Sequence, residues 1–295
     1  MLKYEVVRSW PIEDVTQTYT ERDVILYALG LGIGGDPLDA AQLRYVYEKD
    51  LQAMPTCAAA FAWPKSWMRD PRAGVDYLKV VHGEQDVRFL RPMPTAATLV
   101  SKTRVTLVSD KGAGKGAVVE LKRDLVDQAS GERLAEVRQV SFLRGDGGFS
   151  AETGISDPPP DALPPVPERA ADLEFEFATP AQAALIYRLS GDSNPLHADP
   201  EVAAKAGFAR PILHGLATYG MAGYAAVRAC AGNDTARLKR LALRFTSPVY
   251  PGEAVRFQFW RESGESRETN ARWHLRARVD ARDVVVLNNG IVEIS

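Results

Sequence analysis

The sequence predicts an α+β chain made of two copies of one unit, and three observations carry that reading. A helix rich in small residues, His214 to Ala231, is followed by four runs of strand-like alternation. The same order of helix, turn and strands occurs in both halves. Between them, Ser156 to Glu168 reads Ser-Asp-Pro-Pro-Pro-Asp-Ala-Leu-Pro-Pro-Val-Pro-Glu, which suits neither a helix nor a central strand. The expected division is residues 1–155, a connector at 156–169 and residues 170–295. A proline-rich ligand for another protein is the alternative reading of the connector.

Each element has a local cause. Thr20-Glu21-Arg22-Asp23 opens a first helix carrying Tyr27 and Leu29. The run Gly30-Leu31-Gly32-Ile33-Gly34-Gly35 then supplies its flexible end; it follows a helix, not a strand, and so is no dinucleotide loop. A further helix is expected near Thr56–Met68, bent or shortened by Pro64, with strands from Tyr77 to Arg144. In the second half, Thr179 is expected to cap a helix that has Pro180 first, Gln182 in a capping box and an end near Ser190. Gly191 can take a positive φ there, and Asp192, Asn194 and Pro195 favour tight turns. Asp199-Pro200 opens another short helix. In His214–Ala231, Gly215, Ala217, Gly220, Ala222, Gly223, Ala225 and Ala226 allow a sheet to pack close. The strands that follow are expected at Leu238–Thr246, Ala254–Glu262, Thr269–Val279 and Asp283–Glu293.

The halves echo one another residue by residue. Thr20, Tyr27, Leu29 and Gly35-Asp36-Pro37-Leu38-Asp39 correspond to Thr179, Tyr187, Leu189 and Gly191-Asp192-Ser193-Asn194-Pro195-Leu196-His197. Arg88-Phe89 with Pro92 matches Arg244-Phe245 with Pro248. The first copy lacks a counterpart to Asn194 and has Asp39 where a histidine would be needed, so it is expected to keep the architecture without the chemistry.

Composition excludes several classes. At 295 residues, 45% hydrophobic and 25% charged, the chain is long enough for two ordinary domains. A net charge of −2 gives no footprint for nucleic acid. Met1-Leu2-Lys3-Tyr4-Glu5 lacks the apolar core of a signal peptide, no apolar run suits a membrane span, and Glu293-Ile294-Ser295 is not a peroxisomal address. A cytoplasmic protein is expected. Cys57 and Cys230, one in each half and both in expected helices, fit buried free thiols, with nothing beside them that looks like a metal site.

Chemistry concentrates between Tyr187 and His197, where an acid, an amide and an imidazole share one stiff loop. Singly, Asp192 and Asn194 read as caps or turns and His197 as a partly buried histidine. Together, a carboxylate five positions before a histidine can face one water with it. The segment resembles the signature of (R)-specific enoyl-CoA hydratases, or hydratase 2, in the MaoC-like dehydratase family. Tyr187, Ser190, Gly191, Asp192, Asn194, Pro195, Leu196 and His197 match, as does Pro211-Ile212-Leu213-His214-Gly215-Leu216. Ile25–Gly30, Arg44–Glu48, Leu51 through Pro55-Thr56, His82-Gly83-Glu84-Gln85 and Asp110-Lys111-Gly112 resemble the hydratase 2 unit of multifunctional enzyme type 2.

That resemblance implies a double hot-dog fold, each half a long helix wrapped by an antiparallel sheet. It implies reversible addition of water to a trans-2-enoyl-CoA to give the (R)-3-hydroxyacyl-CoA, with no metal or redox cofactor. Asp192 and His197 would hold the water and share the acid and base roles, Asn194 would orient them, and the Gly215 amide would face the thioester oxygen. A helix N-terminus favours such an oxyanion on physical grounds as well. His82, Gly83, Lys111, Ser193, Pro195, Leu196 and Phe245 would contact the acyl-CoA. Read without the resemblance, Lys111 is solvated surface, Phe245 core and Gly215 a packing glycine. Ser193 departs from the tryptophan typical of the multifunctional enzyme, at a variable position. A homodimer is expected by family analogy. The alternatives are dehydration of branched, dicarboxylic or steroid-side-chain acyl-CoA esters, thioester hydrolysis, and a non-catalytic acyl-CoA-binding subunit.

Overall fold

A computed structural model describes residues 2–262 and 270–295. Among the described residues ten antiparallel strands form one sheet, and its order displays the repeat. From one edge it runs β1 (Val15–Tyr19), β3 (Ala97–Asp110), β4 (Ala117–Asp127), β5 (Arg133–Leu143) and β2 (Val80–Phe89). It continues with β7 (Leu238–Phe245), β10 (Val284–Ile294), β9 (Ala271–Val279), β8 (Ala254–Arg261) and β6 (Leu173–Ala178). The second five repeat the order of the first about the β2–β7 seam, and the double hot-dog architecture is borne out.

At the seam Glu84–Arg88 pairs with Arg244–Arg240. Asp86 lies opposite Ala242, its equivalent under the Arg88-Phe89 and Arg244-Phe245 correspondence, so a local two-fold axis passes between them. Arg240, itself paired with Arg88, adds a side-chain link across the seam, its Nε and Nη2 bonding both oxygens of Asp86 at 3.0 and 2.8 Å while Nη1 reaches Glu293. Such a bidentate pair, largely shielded from water, resists screening better than an exposed one.

The second-half strands lie close to expectation, because their alternation is clean: Val255, Phe257 and Phe259 are fully buried. The expected start at Thr269 lies outside the described residues. The central helix, Gly215–Cys230, is sheathed on nearly every side. Its small residues serve a purpose beyond sheet packing, since a Cβ on Gly220 would sit 2.5 Å from Leu31 and one on Gly223 would sit 2.4 Å from Thr56. The glycines therefore admit the first half against the second. The Glu21–Leu31 helix forms with the Thr20–Asp23 capping box and ends at Gly32, φ 93°. It lies beside Ala183–Tyr187, its counterpart, with Gly30 against the Tyr187 backbone.

Two expected helices are corrected. Thr56–Met68 keeps the α-helical turn Cys57–Ala60 and, at its far end, the 3₁₀ turn Trp67–Arg69; between them Phe61 is extended and Ala62 has φ 50°. Pro64 blocks continuation, and buried Arg123 takes the carbonyls of Ala58, Ala59, Phe61 and Ala62. Among the described residues the first half thus has no counterpart to the long helix of the second. The other helix begins at Ala183 instead of Pro180 and finishes as a 3₁₀ turn, Arg188–Ser190. Thr179 does not cap it: its Oγ1 bonds the Glu253 carbonyl and the Gly252 amide, pinning the chain to the β7–β8 connection.

Residues 154–172 hold no helix or strand. Cys57 is buried and Cys230 half-buried, both free. No helix among the described residues is long and apolar enough to cross a membrane.

Gly223→Ala tests the close approach of the halves. Alanine normally gains up to about 1 kcal/mol over glycine inside a helix. Here the contact with Thr56, itself buried and bonded to Tyr27, should win, with a net loss of about 1–2 kcal/mol measured as a lower denaturant midpoint.

Candidate active site

The loop from Gly191 to Ala198 is a chain of short hydrogen bonds that leaves its side chains little freedom. The Asn194 amide donates to Asp192 Oδ1 at 3.1 Å, and Asn194 Oδ1 accepts from the Leu196 amide at 3.2 Å, capping the turn Pro195–His197. One residue thus holds the acid and starts the turn that presents the base. Asp199 then caps Pro200–Lys205 through the Glu201 amide.

His197 is buried, and its Nδ1 lies 2.8 Å from the Ile212 carbonyl. A carbonyl can only accept, so Nδ1 carries the proton and Nε2 is left with a lone pair. His214, at the N-terminus of the central helix, places Nε2 3.0 Å from the Asp192 carbonyl, leaving its Nδ1 as a bare, enclosed acceptor. The two rings stack with centroids 3.7 Å apart. One side-chain ligand atom each from Asp192, His197 and His214 fall within 4.8 Å of one another. Burial lowers the pKa of His197, and burial with the neighbouring His197 pushes His214 down to about 4. Both imidazoles are neutral at pH 7 on these shifts.

The Gly215 amide opens the helix, and among the described residues it donates to no acceptor. The Phe245 ring lies against Gly215, 3.4 Å from where a Cβ would be, and 4.7 Å from the His82 ring. His82 comes from β2, across the seam; burial pushes its pKa down to about 4 against the opposing pull of hydrogen bonding to Glu84 and Gln85. Gly83 forms the bulge beside it, where a Cβ would sit 3.2 Å from the Val140 carbonyl.

The structure therefore brings Asp192, Asn194, His197, Gly215, Phe245 and His82 together, with Gly83 next to them. Ser193 and Pro195 are exposed on the same loop and Leu196 is half-buried. Lys111 stands apart. It is exposed in the β3–β4 turn, at the end of the sheet where β2 begins, and bonds none of these residues. Sequence reading overlooked His214 as a member of the site, although it makes three of the chain's four histidines converge here. Its place directly before Gly215 was the available signal.

In the first half, Asp39, the counterpart of His197 in the sequence correspondence, accepts from Arg228 Nη1 at 2.8 Å and from the Ala41 amide. The guanidinium holds its carboxyl below the usual range. That carboxylate is committed to an ion pair.

Two family models match the chain in succession. Residues 17–145 match the family model for the MFE-2 hydratase 2 N-terminal domain, and residues 163–281 match the MaoC-like domain. The 3-hydroxyacyl-thioester dehydratase Y of Mycobacterium tuberculosis is 40% identical over 93% of this chain and 92% of that protein. The peroxisomal enoyl-CoA hydratase 2 of Arabidopsis thaliana is 38% identical over 88% and 87%. Among solved structures, a MaoC-like dehydratase from Phytophthora capsici superposes with a TM-score of 0.81 at 33% identity, covering 98% of this chain and 97% of that one.

His82 and His214 set an expected pH response. Protonation is harder in the folded state, so their contribution to stability is complete above the unfolded value of about 6.5. It is lost as pH falls toward about 4. The melting temperature should drop across that window, and His214→Gln should flatten the drop; an unchanged slope in the variant would count against the assignment.

Proposed function

Because this chain belongs to the MaoC-like hydratase 2 family and is a hydro-lyase of that class, we propose that it adds water to trans-2-enoyl-CoA, reversibly, to give the (R)-3-hydroxyacyl-CoA. The observation that carries this reading is the meeting of Asp192 and His197 beside the free Gly215 amide.

Water between the Asp192 carboxylate and His197 Nε2 is held by two acceptors. As its oxygen forms the bond to C3, one of its protons passes to this pair and the C2–C3 π electrons move toward the thioester. The negative charge on the thioester oxygen is met by the Gly215 N–H at the positive end of the central helix. A proton returned from the pair to C2 completes the addition on the same face. Neutral His197 suits a base that must pick up a proton and give it back near neutral pH. His214 keeps the arrangement taut through the Asp192 backbone and the ring stack.

His82, Phe245, Gly83, Leu196, Pro195 and Ser193 supply the acyl-CoA contacts in this reading, and Lys111 the distant one to a phosphate. The first half, without its long helix, gives the acyl chain room. A homodimer and a cytoplasmic location remain parts of the same proposal.

Asp192→Asn and His197→Gln should each lower kcat by roughly 10²–10⁴-fold, with the circular dichroism spectrum preserved. The assay is loss of the enoyl-thioester absorbance with trans-2-decenoyl-CoA, coupled to a dehydrogenase selective for the (R) product. Near-native turnover in either variant would overturn the roles given to this pair.

A further inference from the structure

The first-half sheet carries a polar stripe on the face where a hot-dog sheet normally seats apolar side chains. Residues paired across strands share a face, and the register sets three rows side by side. His82, Ser141 and Val119 form one; Gln85, Gln139 and Leu121 the next; Val87, Val137, Arg123 and Thr103 the third. Arg123 reaches the backbone of Ala58 to Ala62 from this face, so it is the side turned to the helices. Along the stripe Gln139 Oε1 and Thr103 Oγ1 are enclosed with no hydrogen-bond partner, while the His82 and Gln85 side chains face each other. Native proteins leave few such atoms unsatisfied unless water or a ligand meets them.

The stripe ends at an unbalanced charge. Arg123 is 3% exposed, and no carboxylate among the described residues pairs with it. Its Nη1 and Nη2 hydrogens are all used by backbone carbonyls, which leaves Nε–H over. The Trp63 ring covers the guanidinium at 5.0 Å. Arg123, Thr103, Gln139, Trp63 and Pro64 line a small cavity of about 10 Å³, room for one water.

We propose that this stripe is the far end of the acyl site, and that it selects an acyl chain ending in a carboxylate. The inference rests on the hydratase reading and adds the substrate class. At the near end, His82 meets the Phe245 ring that touches Gly215, so the stripe starts at the reacting centre. From His82 to Arg123 is two strands across and four residues along, about 16 Å, a span for a medium-length chain. The carboxylate takes the Arg123 Nε–H and the Thr103 hydroxyl and neutralises the guanidinium. The Gln139 amide turns its NH₂ end to the same oxygen, either orientation of an amide being open to it. Trp63, over a third exposed, swings off the guanidinium to enlarge the cavity. A chain ending in a methyl group instead leaves the charge and the hydroxyl unmet, which is costly in a buried setting.

The test compares kcat/KM of the full chain for trans-2-dodecenoyl-CoA, its ω-hydroxy analogue and trans-2-dodecenedioyl-CoA. The dioyl ester should lead the other two by roughly tenfold or more, as expected for a charged partner gained in a dry site. Arg123→Met should abolish that preference, but it also strips four carbonyls of their donor and can unfold the first half. Thr103→Val and Gln139→Leu therefore provide the decisive variants, each expected to bring the dioyl-to-methyl ratio toward one. A methyl-ended or hydroxyl-ended chain that matches the dioyl ester would overturn the inference and leave the hydratase reading standing. Turnover of none of the three would remove both.

Discussion

The β2–β7 seam is the constraint on which the rest of the molecule depends. Five backbone positions, Glu84–Arg88 against Arg244–Arg240, join two five-stranded halves into one sheet. The seam carries His82 from one half to the Phe245 ring of the other, and Phe245 in turn rests on Gly215. A one-residue slip there would turn His82 and Phe245 to opposite faces, because strand side chains alternate. The Arg240–Asp86 pair and the notches at Gly220 and Gly223 hold the register from either side. Backbone pairing, ion pair and steric fit all act on the same boundary.

Within the site, neutral groups are arranged around one carboxylate. Each imidazole gives its only proton to a backbone carbonyl, Ile212 for His197 and Asp192 for His214, so each keeps one lone pair. Burial then opposes a second proton on either. Asn194 ties the ends of the loop by contributing its amide to Asp192 and its side-chain oxygen to Leu196. The imidazoles and the carboxylate are thereby oriented by main-chain partners, which move less than side chains do.

Much of the fold was legible in the sequence because the second half is regular. The run from Ala254 alternates with period two, and Gly215–Cys230 lacks any breaker, so the expected bounds fall near the observed ones. The helix expected over Thr56–Met68 failed for a reason no local pattern could show. An alanine-rich start favours helix, but Arg123, remote in sequence, collects the carbonyls that would have continued it. Thr179 misled similarly, since its partner Glu253 lies 74 positions away. In the site, the Asp192–His197 loop stood out through its residue types together with its resemblance to the hydratase 2 signature. The contribution of His214 was not, because ring stacking and a bond to a backbone carbonyl depend on how the central helix enters the sheet.

The Asp39–Arg228 ion pair shows what it means for both halves to share one polypeptide. In an assembly of two identical chains every substitution is made twice, so a cation placed to quench one centre would quench both. A tandem gene is released from that rule. Here a mutation in one repeat spares its sibling, so Asp39 can be given to an ion pair that holds the halves together while the Asp192–His197 loop stays under separate selection.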